Sequence, residues 1–175
     1  ATDHWGFIAA DGTIKMEGRY DLHPSAVVND SYNVQNADGD WMLYSFSTRK
    51  PVCNRAFRMI GYFWEDATMA VEGDRLEIIN KAGKVISVLS PSVIEAHNFS
   101  EKLALVRYRD GSYGYVDPKG HFTSYRFDYA SDFSDGVAVA ANYDVRGFLK
   151  YTAIDKSGKI VAILRVKENR ILEHY

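Results

Sequence analysis

Apolar residues in this chain fall in short runs, and turn-forming residues separate the runs. The runs "LALVRY" (103–108) and "VAVAAN" (137–142) are as long as a β-strand and too short for a buried helix. No stretch keeps the 3.6-residue apolar spacing of an amphipathic helix. The pattern therefore predicts an all-β protein.

One segment shows how the strands are expected to connect. After the run at 103–108, an Asp-Gly turn leads to "SYGYVD" (112–117), which predicts a returning strand. The following "DPKG" places Gly120 where a positive φ closes a short hairpin loop with a glycine bulge. "HFTSY" (121–125) then predicts a third strand. The repeating element is expected to be a three-stranded antiparallel meander.

The same hairpin recurs along the chain, and its turn glycine marks each copy. These glycines are Gly12, Gly39, Gly83, Gly120 and Gly158, at intervals of 27, 44, 37 and 38 residues. Five degenerate units of about 35 residues therefore fill the chain, with an irregular insert near residues 44–63. We predict one domain over residues 1–175, built as a twisted array of stacked units. The alternative is closure into a propeller- or barrel-like ring.

A large residue followed by a small or polar one recurs in one strand of each unit. The pairs are Trp5-Gly6, Tyr32-Asn33, Leu76-Glu77, Tyr113-Gly114 and Tyr151-Thr152. Neighbours in a strand face opposite sides of the sheet, so the large residue is expected to be buried against the next unit. A glycine beside it lets another ring or backbone approach closely.

Three phrases make the chain resemble a known family. They are the Trp5-Gly6 step, "FSDGVAVA" (133–140) and "IDKSGKI" (154–160). With these motifs the chain resembles the bacterial WG-repeat proteins, whose repeat has an aromatic-Gly-aromatic-Ile-Asp strand, a glycine turn and a Phe-Ser phrase. Glu77 departs from the pattern, because the family has glycine after the aromatic residue.

The resemblance implies an all-β repeat fold and a binding or scaffolding role, and it implies no reaction and no fixed ligand. Many such proteins belong to the bacterial envelope or are secreted. A periplasmic or secreted location is therefore expected, with the cytoplasm as the alternative. The first residue, Ala1, fits a mature end left by signal-peptide cleavage as well as an arbitrary boundary.

Composition and charge exclude several classes of function. The formal net charge is −2 and the pI is about 6.2, so no overall positive field favours nucleic acid. The single cysteine, Cys53, excludes an intramolecular disulfide and a zinc site built on paired thiols. No apolar run approaches the roughly 18 residues that a membrane span requires.

The candidate catalytic and metal-binding motifs are weak. "STRK" (47–50) and "KSG" (156–158) match fragments of a serine β-lactam-type site, but the second lies in the repeated turn. Cys53 has no local signature of a thiol nucleophile. "NADGD" (36–40) lacks the later glycine and glutamate of a calcium loop. The recurring acids are expected to be turn residues: Asp11, Asp38, Asp117 and Asp155. We expect no catalytic residue, no metal and no cofactor.

The stretch "YSFSTRKPVCNRAFRMIGYF" (44–63) breaks the repeat and carries basic residues without an acid. It is either a solvated connection or a docking surface for an acidic partner or anionic ligand, since irregular parts of repeat proteins are where specific partners bind. Two phenylalanines would be its apolar anchors, and the loop at 142–148 is expected to share the surface. The predicted partner-binding residues are Arg49, Lys50, Arg55, Arg58, Phe46, Phe57, Tyr143 and Arg146.

Two classes of function stay open. The first is a non-enzymatic protein-binding module of an envelope or secreted protein, whose partner is another protein of acidic character. A toxin-neutralising immunity-type protein is a specific version of it. The second is a small hydrolase that acts on glycan or peptide through two of the recurring acids. A cleft lined by convergent acids with raised pKa values would favour the hydrolase.

Overall fold

The computed structural model describes residues 5–20 (backbone alone for 16–20), 25, 27–28 and 30–164. Within these residues the chain forms sixteen strands and no helix, and the strands build five small antiparallel sheets. None of the five is closed into a barrel. The all-β prediction is confirmed, although two of the sheets have four strands and not the three that were expected.

The sheets are numbered I to V in chain order, and each consists of consecutive strands. Sheet I contains β1 (Trp5–Ile8) and β2 (Ile14–Tyr20). Sheet II contains β3 (Ser31–Gln35), β4 (Trp41–Ser45) and β5 (Lys50–Phe57). Sheet III contains β6 (Met59–Ile60), β7 (Ala67–Glu72), β8 (Arg75–Asn80) and β9 (Val85–Val88). Sheet IV contains β10 (Val93–Ala96), β11 (Ala104–Tyr108) and β12 (Tyr113–Val116). Sheet V contains β13 (Tyr129–Ala130), β14 (Val137–Tyr143), β15 (Leu149–Asp155) and β16 (Ile160–Ile163).

Successive sheets pack against each other through apolar side chains. At the I–II junction the Phe7 ring lies 5.0 Å from the Tyr32 ring and 5.5 Å from the Phe46 ring, centroid to centroid. At the II–III junction Phe57 is buried together with Ile79. Removing these apolar surfaces from water is what holds one sheet on the next.

The III–IV and IV–V junctions have larger cores. The buried residues of the III–IV core are Ala67, Met69, Ile78, Leu89, Val93, Phe99, Ala104, Val106, Tyr108 and Val116. Those of the IV–V core are Leu105, Tyr115, Ala130, Phe133, Ala138, Ala140 and Ile154. Adjacent residues of β8 serve different junctions, since Ile78 faces sheet IV and Ile79 faces sheet II. A sheet inside the stack is therefore buried on both faces.

Strand pairing corrects the repeat register that the glycine spacing predicted. Gly39 connects β3 to β4, so it belongs to the first turn of sheet II and not to the second. The corresponding turns join β7 to β8, β11 to β12 and β14 to β15, and they carry Gly73, Gly111 and Gly147. We call these the first turns of sheets III, IV and V, and the turn that follows one strand later in each sheet the second turn. The second turn of sheet II, between β4 and β5, has Arg49 at a φ of 58° in place of glycine. The corrected series is Gly12, Arg49, Gly83, Gly120 and Gly158, at intervals of 37, 34, 37 and 38 residues.

Residues 44–63 contain strands that pair within sheets II and III. They form the end of β4, the strand β5 and the short strand β6. The large residue of sheet II also moves from Tyr32 to Trp41, because Trp41 pairs with Phe57 as Tyr113 pairs with Phe127. The corrected series of large residues is Trp5, Trp41, Leu76, Tyr113 and Tyr151.

The predicted third strand at 121–125 is wrong. That part of the chain makes only isolated bridges, from Phe122 to Val116 and, just beyond it, from Phe127 to Tyr113. The connection is thus a bridged loop, although its turn glycine lies where the sequence predicted.

The aromatic-glycine pair of sheet IV behaves partly as predicted. Tyr113 is only half-buried, whereas Tyr115 is fully buried and its hydroxyl donates a hydrogen bond of 2.7 Å to the Ser131 carbonyl. Gly114 does allow a ring to come close, since a Cβ there would lie 3.2 Å from Cε2 of Tyr108. The close approach at the glycine is confirmed, whereas the predicted burial of the large residue is wrong for Tyr113; the fully buried ring is Tyr115.

In sheets III, IV and V the second turn packs on the preceding unit. A Cβ added at Gly158 would lie 2.5 Å from Cδ1 of Tyr125. Equivalent close approaches join Gly83 to Cys53 and Gly120 to Ser87. The glycines are therefore needed at these positions both for their positive φ and for lack of space.

Candidate functional site

The structure separates the residues predicted to form a partner-binding surface. Arg49 and Lys50 are exposed at the turn between β4 and β5, where the Arg49 side chain donates a hydrogen bond of 3.4 Å to the Lys15 carbonyl. Tyr143 and Arg146 are exposed at the first turn of sheet V. Phe46 is half-buried against Phe7 of sheet I, as described above.

Two of the predicted residues belong to the interior. Phe57 has no exposed surface, so its ring serves the II–III core and is not a surface anchor. Arg55 crosses the same junction: Nε donates to Oε1 of Glu72 at 2.9 Å, and Nη1 donates to the Gly83 carbonyl at 2.9 Å. Its Nη2 binds the fully buried carboxylate of Glu77.

The charges at this junction compensate one another. Hydrogen bonding to Glu72, together with the charge of Glu77, raises the pKa of Arg55, and the hydrogen bond from Arg55 holds the pKa of Glu72 below its usual value. The guanidinium also lies 4.8 Å from the ring centroid of Phe57. Arg55 is thus engaged in the fold, and its charge is not available to a partner.

Arg58, another predicted residue, lines a cavity. The cleft has a volume of about 680 Å³ and lies between sheets III and IV. Two further arginines line it: Arg75 at the start of β8, and Arg109 directly after β11. The apolar residues that line it include Val71, Leu76, Val88, Leu89 and Val93. We call this feature the arginine cleft.

The arginine cleft is positive and only loosely neutralised. Its three arginines face two acids among the lining residues, Asp74 and Glu95. Arg58 pairs with Asp74 at 3.3 Å, but both side chains are largely exposed to water, where such pairs contribute little. Arg75 pairs with Glu72 at 2.8 Å. Arg109 makes no ion pair with any residue that the structure describes.

One wall of the arginine cleft is an edge strand. All four residues of β10 (Val93–Ala96) line the cleft, and among the described strands β10 pairs only with β11. Half of the backbone N–H and C=O groups of an edge strand point away from its sheet. An extended peptide can add to such an edge through main-chain hydrogen bonds.

A second cavity of about 680 Å³ is lined by residues of sheets II, III and IV and their connections. It mixes aromatic and polar side chains, including Trp41 and His97. His97 Nδ1 lies 2.9 Å from Oδ2 of Asp132. The nearby Ser100 hydroxyl is not aligned with that pair, because it donates to the Phe133 carbonyl at 2.7 Å.

The recurring acids accept backbone hydrogen bonds in their turns. Oδ1 of Asp155 accepts from the backbone N–H of Ser157 and Lys159, and the first-turn acid Asp144 does the same in its own loop. The Ser157 hydroxyl, which donates to the same oxygen, and these backbone bonds hold the pKa of Asp155 below its usual value, and the backbone bonds do the same for the pKa of Asp144. In sheet II the equivalent acceptor is Asn36 and not Asp38. Such carboxylates stay ionised and suit a turn better than general acid catalysis.

Neither the metal nor the thiol candidates gain support from the geometry. No three His, Cys, Asp or Glu side chains of the described residues come together as a metal site requires. The half-buried Cys53 thiol lies against the glycine turn at Gly83. No helix in the described ranges is long and apolar enough to cross a membrane.

Comparison with known families supports the repeat. A family model for a WG containing repeat matches residues 113–142. The chain carries a WG repeat. The match begins with β12 of sheet IV and ends within β14 of sheet V, so the WG repeat, as read along the sequence, spans the IV–V junction.

Comparison with curated protein sequences gives no match. Among solved structures, the chain is similar to the computationally designed Ika4 protein, with 14% identity, a TM-score of 0.49, and coverage of 76% of this chain and 94% of that one. The designed Ika8 protein has 11% identity and a TM-score of 0.49, with coverage of 88% of this chain and 53% of that one. BamB from Moraxella catarrhalis has 13% identity and a TM-score of 0.48, with coverage of 82% of this chain and 50% of that one. The chain thus spans about half the length of the last two.

Proposed function

We propose that this WG-repeat protein is a non-enzymatic protein-binding module, and that it holds an extended acidic segment of a partner protein in the arginine cleft. The observation that carries the proposal is the meeting of Arg58, Arg75 and Arg109 above an apolar floor. The three come from different parts of sheets III and IV. A bacterial envelope or secreted location is part of the proposal and rests on the family resemblance alone.

The geometry suits a peptide in extended conformation. Main-chain groups of the peptide would pair with the free edge of β10, which supplies affinity without sequence preference. Alternate side chains of an extended strand point to opposite sides, so apolar ones would enter the floor at Leu76 and Val88 while acidic ones reach the arginines. Arginine is suited to this role because its planar group binds a carboxylate through two hydrogen bonds.

The experiment uses a fluorescently labelled peptide of alternating valine and glutamate as the probe. Anisotropy titrations at low and high salt compare the wild-type protein with the double variant Arg58→Glu/Arg109→Glu. We expect the double variant to bind about tenfold or more weakly at low salt, with the difference shrinking at high salt as the charges are screened. The lysine analogue of the peptide should not bind.

The matched control is the double variant Lys84→Glu/Lys119→Glu, which makes the same change in net charge at the exposed second turns of sheets III and IV. It should leave the titration unchanged if the cleft is the site. Equal loss in the control and the cleft variant would reduce the effect to net charge. Binding of the probe that is indifferent to the cleft variant would contradict the proposal.

A further inference from the structure

The first sheet has an uncovered face at a position that is buried elsewhere in the stack. Four residues before each turn glycine, the chain has an apolar residue that faces the preceding sheet. In sheets III, IV and V this residue is Ile79, Val116 or Ile154, and none of the three has exposed surface. In sheet I it is Ile8, which is 69% exposed. Its cross-strand neighbour Ile14 is 65% exposed.

The turn of sheet I is open in the same direction. Gly12 has a φ of 83°, close to the values of its equivalents. An added Cβ at Gly83, Gly120 or Gly158 would meet a side chain of the preceding sheet, whereas one at Gly12 would meet nothing within 4 Å. Sheet I therefore has the surface that docks on a preceding sheet, and no described residue covers it.

Sheet V has the opposite half of this junction. Leu164 is 39% exposed, although its equivalents Phe57 and Leu89 are 0% and 4% exposed against the following sheet. Val137 is 41% exposed, whereas its equivalent Ala67 is 4% exposed. Ala162 follows its turn glycine by four residues, as Ser87 follows Gly83, and it is exposed. Gly120, the turn glycine of the next sheet, packs on Ser87.

We propose that sheet V of one copy of this chain binds sheet I of a second copy, head to tail, and so repeats the internal junction between sheets. At the II–III, III–IV and IV–V junctions the preceding unit covers a turn glycine and the isoleucine or valine four residues before it. Sheet I offers both, in Gly12 and Ile8, and Ala162 is where that turn would pack. An interface between two different faces is heterologous, so it leads to chains of copies or to a ring.

The test uses two charge substitutions, one on each face: Ile8→Glu on sheet I and Ala162→Glu on sheet V. Sedimentation velocity over a concentration series measures the mass. The wild-type protein should show mass that rises above the monomer with concentration, and each single variant should remain a monomer. Circular dichroism and thermal unfolding confirm that both variants are folded. Lys84→Glu, at an exposed position of sheet III, which forms neither face of the proposed interface, should assemble like the wild type.

Mixing the two variants distinguishes a heterologous contact from a symmetric one. Ile8→Glu keeps an intact sheet V face and Ala162→Glu keeps an intact sheet I face, so an equimolar mixture should form a species of twice the monomer mass and no larger one. Failure of the mixture to assemble overturns the head-to-tail contact. A wild-type protein that remains a monomer at every concentration also overturns it, as does unchanged assembly of either single variant.

Discussion

The turn glycines meet two separate demands, and sheet V allows the two to be measured apart. Gly147 and Gly158 both have a φ of 82° in turns of sheet V. A Cβ at Gly147 would meet nothing within 4 Å, whereas one at Gly158 would overlap the Tyr125 ring, whose hydroxyl is held by a hydrogen bond to the Lys156 carbonyl. We expect Gly147→Ala to lower the free energy of unfolding by about 1 kcal/mol through backbone strain. Gly158→Ala should cost about 1–3 kcal/mol more through overpacking.

Urea unfolding of the two variants checks this prediction, and their difference isolates the contact with Tyr125. Equal losses would mean that the ring moves aside without cost. The sequence was sufficient to predict the positive φ at Gly158, because turn chemistry is local. The approach of Tyr125 could not be predicted from it, because the two residues meet only when sheets IV and V stack.

Among the elements, the junction between sheets II and III combines a small apolar core with a buried ion pair. Glu77 occupies the position that is glycine at Gly114, and it is fully buried with Arg55 of β5 as its partner. We expect Arg55→Glu to lower the free energy of unfolding by about 3–5 kcal/mol, since it leaves a buried carboxylate unpaired. Arg58→Glu should change it by less than about 0.5 kcal/mol, because Arg58 and Asp74 are exposed.

Chemical denaturation of both charge reversals measures the contrast, and a third variant tests its cause. Replacing both partners, as Arg55→Leu with Glu77→Leu, should recover most of the stability, because an apolar pair of similar volume needs no compensation of charge. Similar losses in Arg55→Glu and Arg58→Glu would show that Arg55 does not hold the junction. If the double leucine variant does not recover stability, the loss in Arg55→Glu comes from disturbed packing and not from an unpaired charge.

The order of the elements was harder to predict than their type. An Asn or Asp followed three residues later by glycine occurs in first turns, as at Asn36 to Gly39, and in second turns, as at Asn80 to Gly83. Residue letters alone therefore cannot tell a first turn from a second. Arg49 made the ambiguity worse, because it adopts a positive φ where the other units have glycine. Strand pairing removes the ambiguity, because it assigns Gly39 to the first turn of sheet II and Arg49 to the second.

For the molecule as a whole, the repeat was predictable and the candidate site was not. Strand length, turn chemistry and unit spacing are local, and they were enough for an all-β repeat of five units. The sequence predicts Arg58 as a partner-binding residue because it lies near other basic residues along the chain. The arginines that line the cleft with it are Arg75 and Arg109. Neither is close to it along the chain, so only the packing of sheet III on sheet IV reveals the cluster.

The stability of the stack should differ from junction to junction. In a repeat array each unit contacts only its neighbours, so local opening is governed by the core at each junction. The III–IV core contains Val106 and Ile78, both without exposed surface, together with eight other buried residues, whereas the buried apolar cluster of the II–III junction is Phe57, Ala70 and Ile79. We expect native-state hydrogen exchange to be slower in β7, β8 and β11 than in β3 and β4. The variant Val106→Ala should speed exchange in sheets III and IV together, and much less in sheet II. Uniform protection across all sheets, or a Val106→Ala effect that spreads equally to sheet II, would instead show that the stack unfolds as one unit.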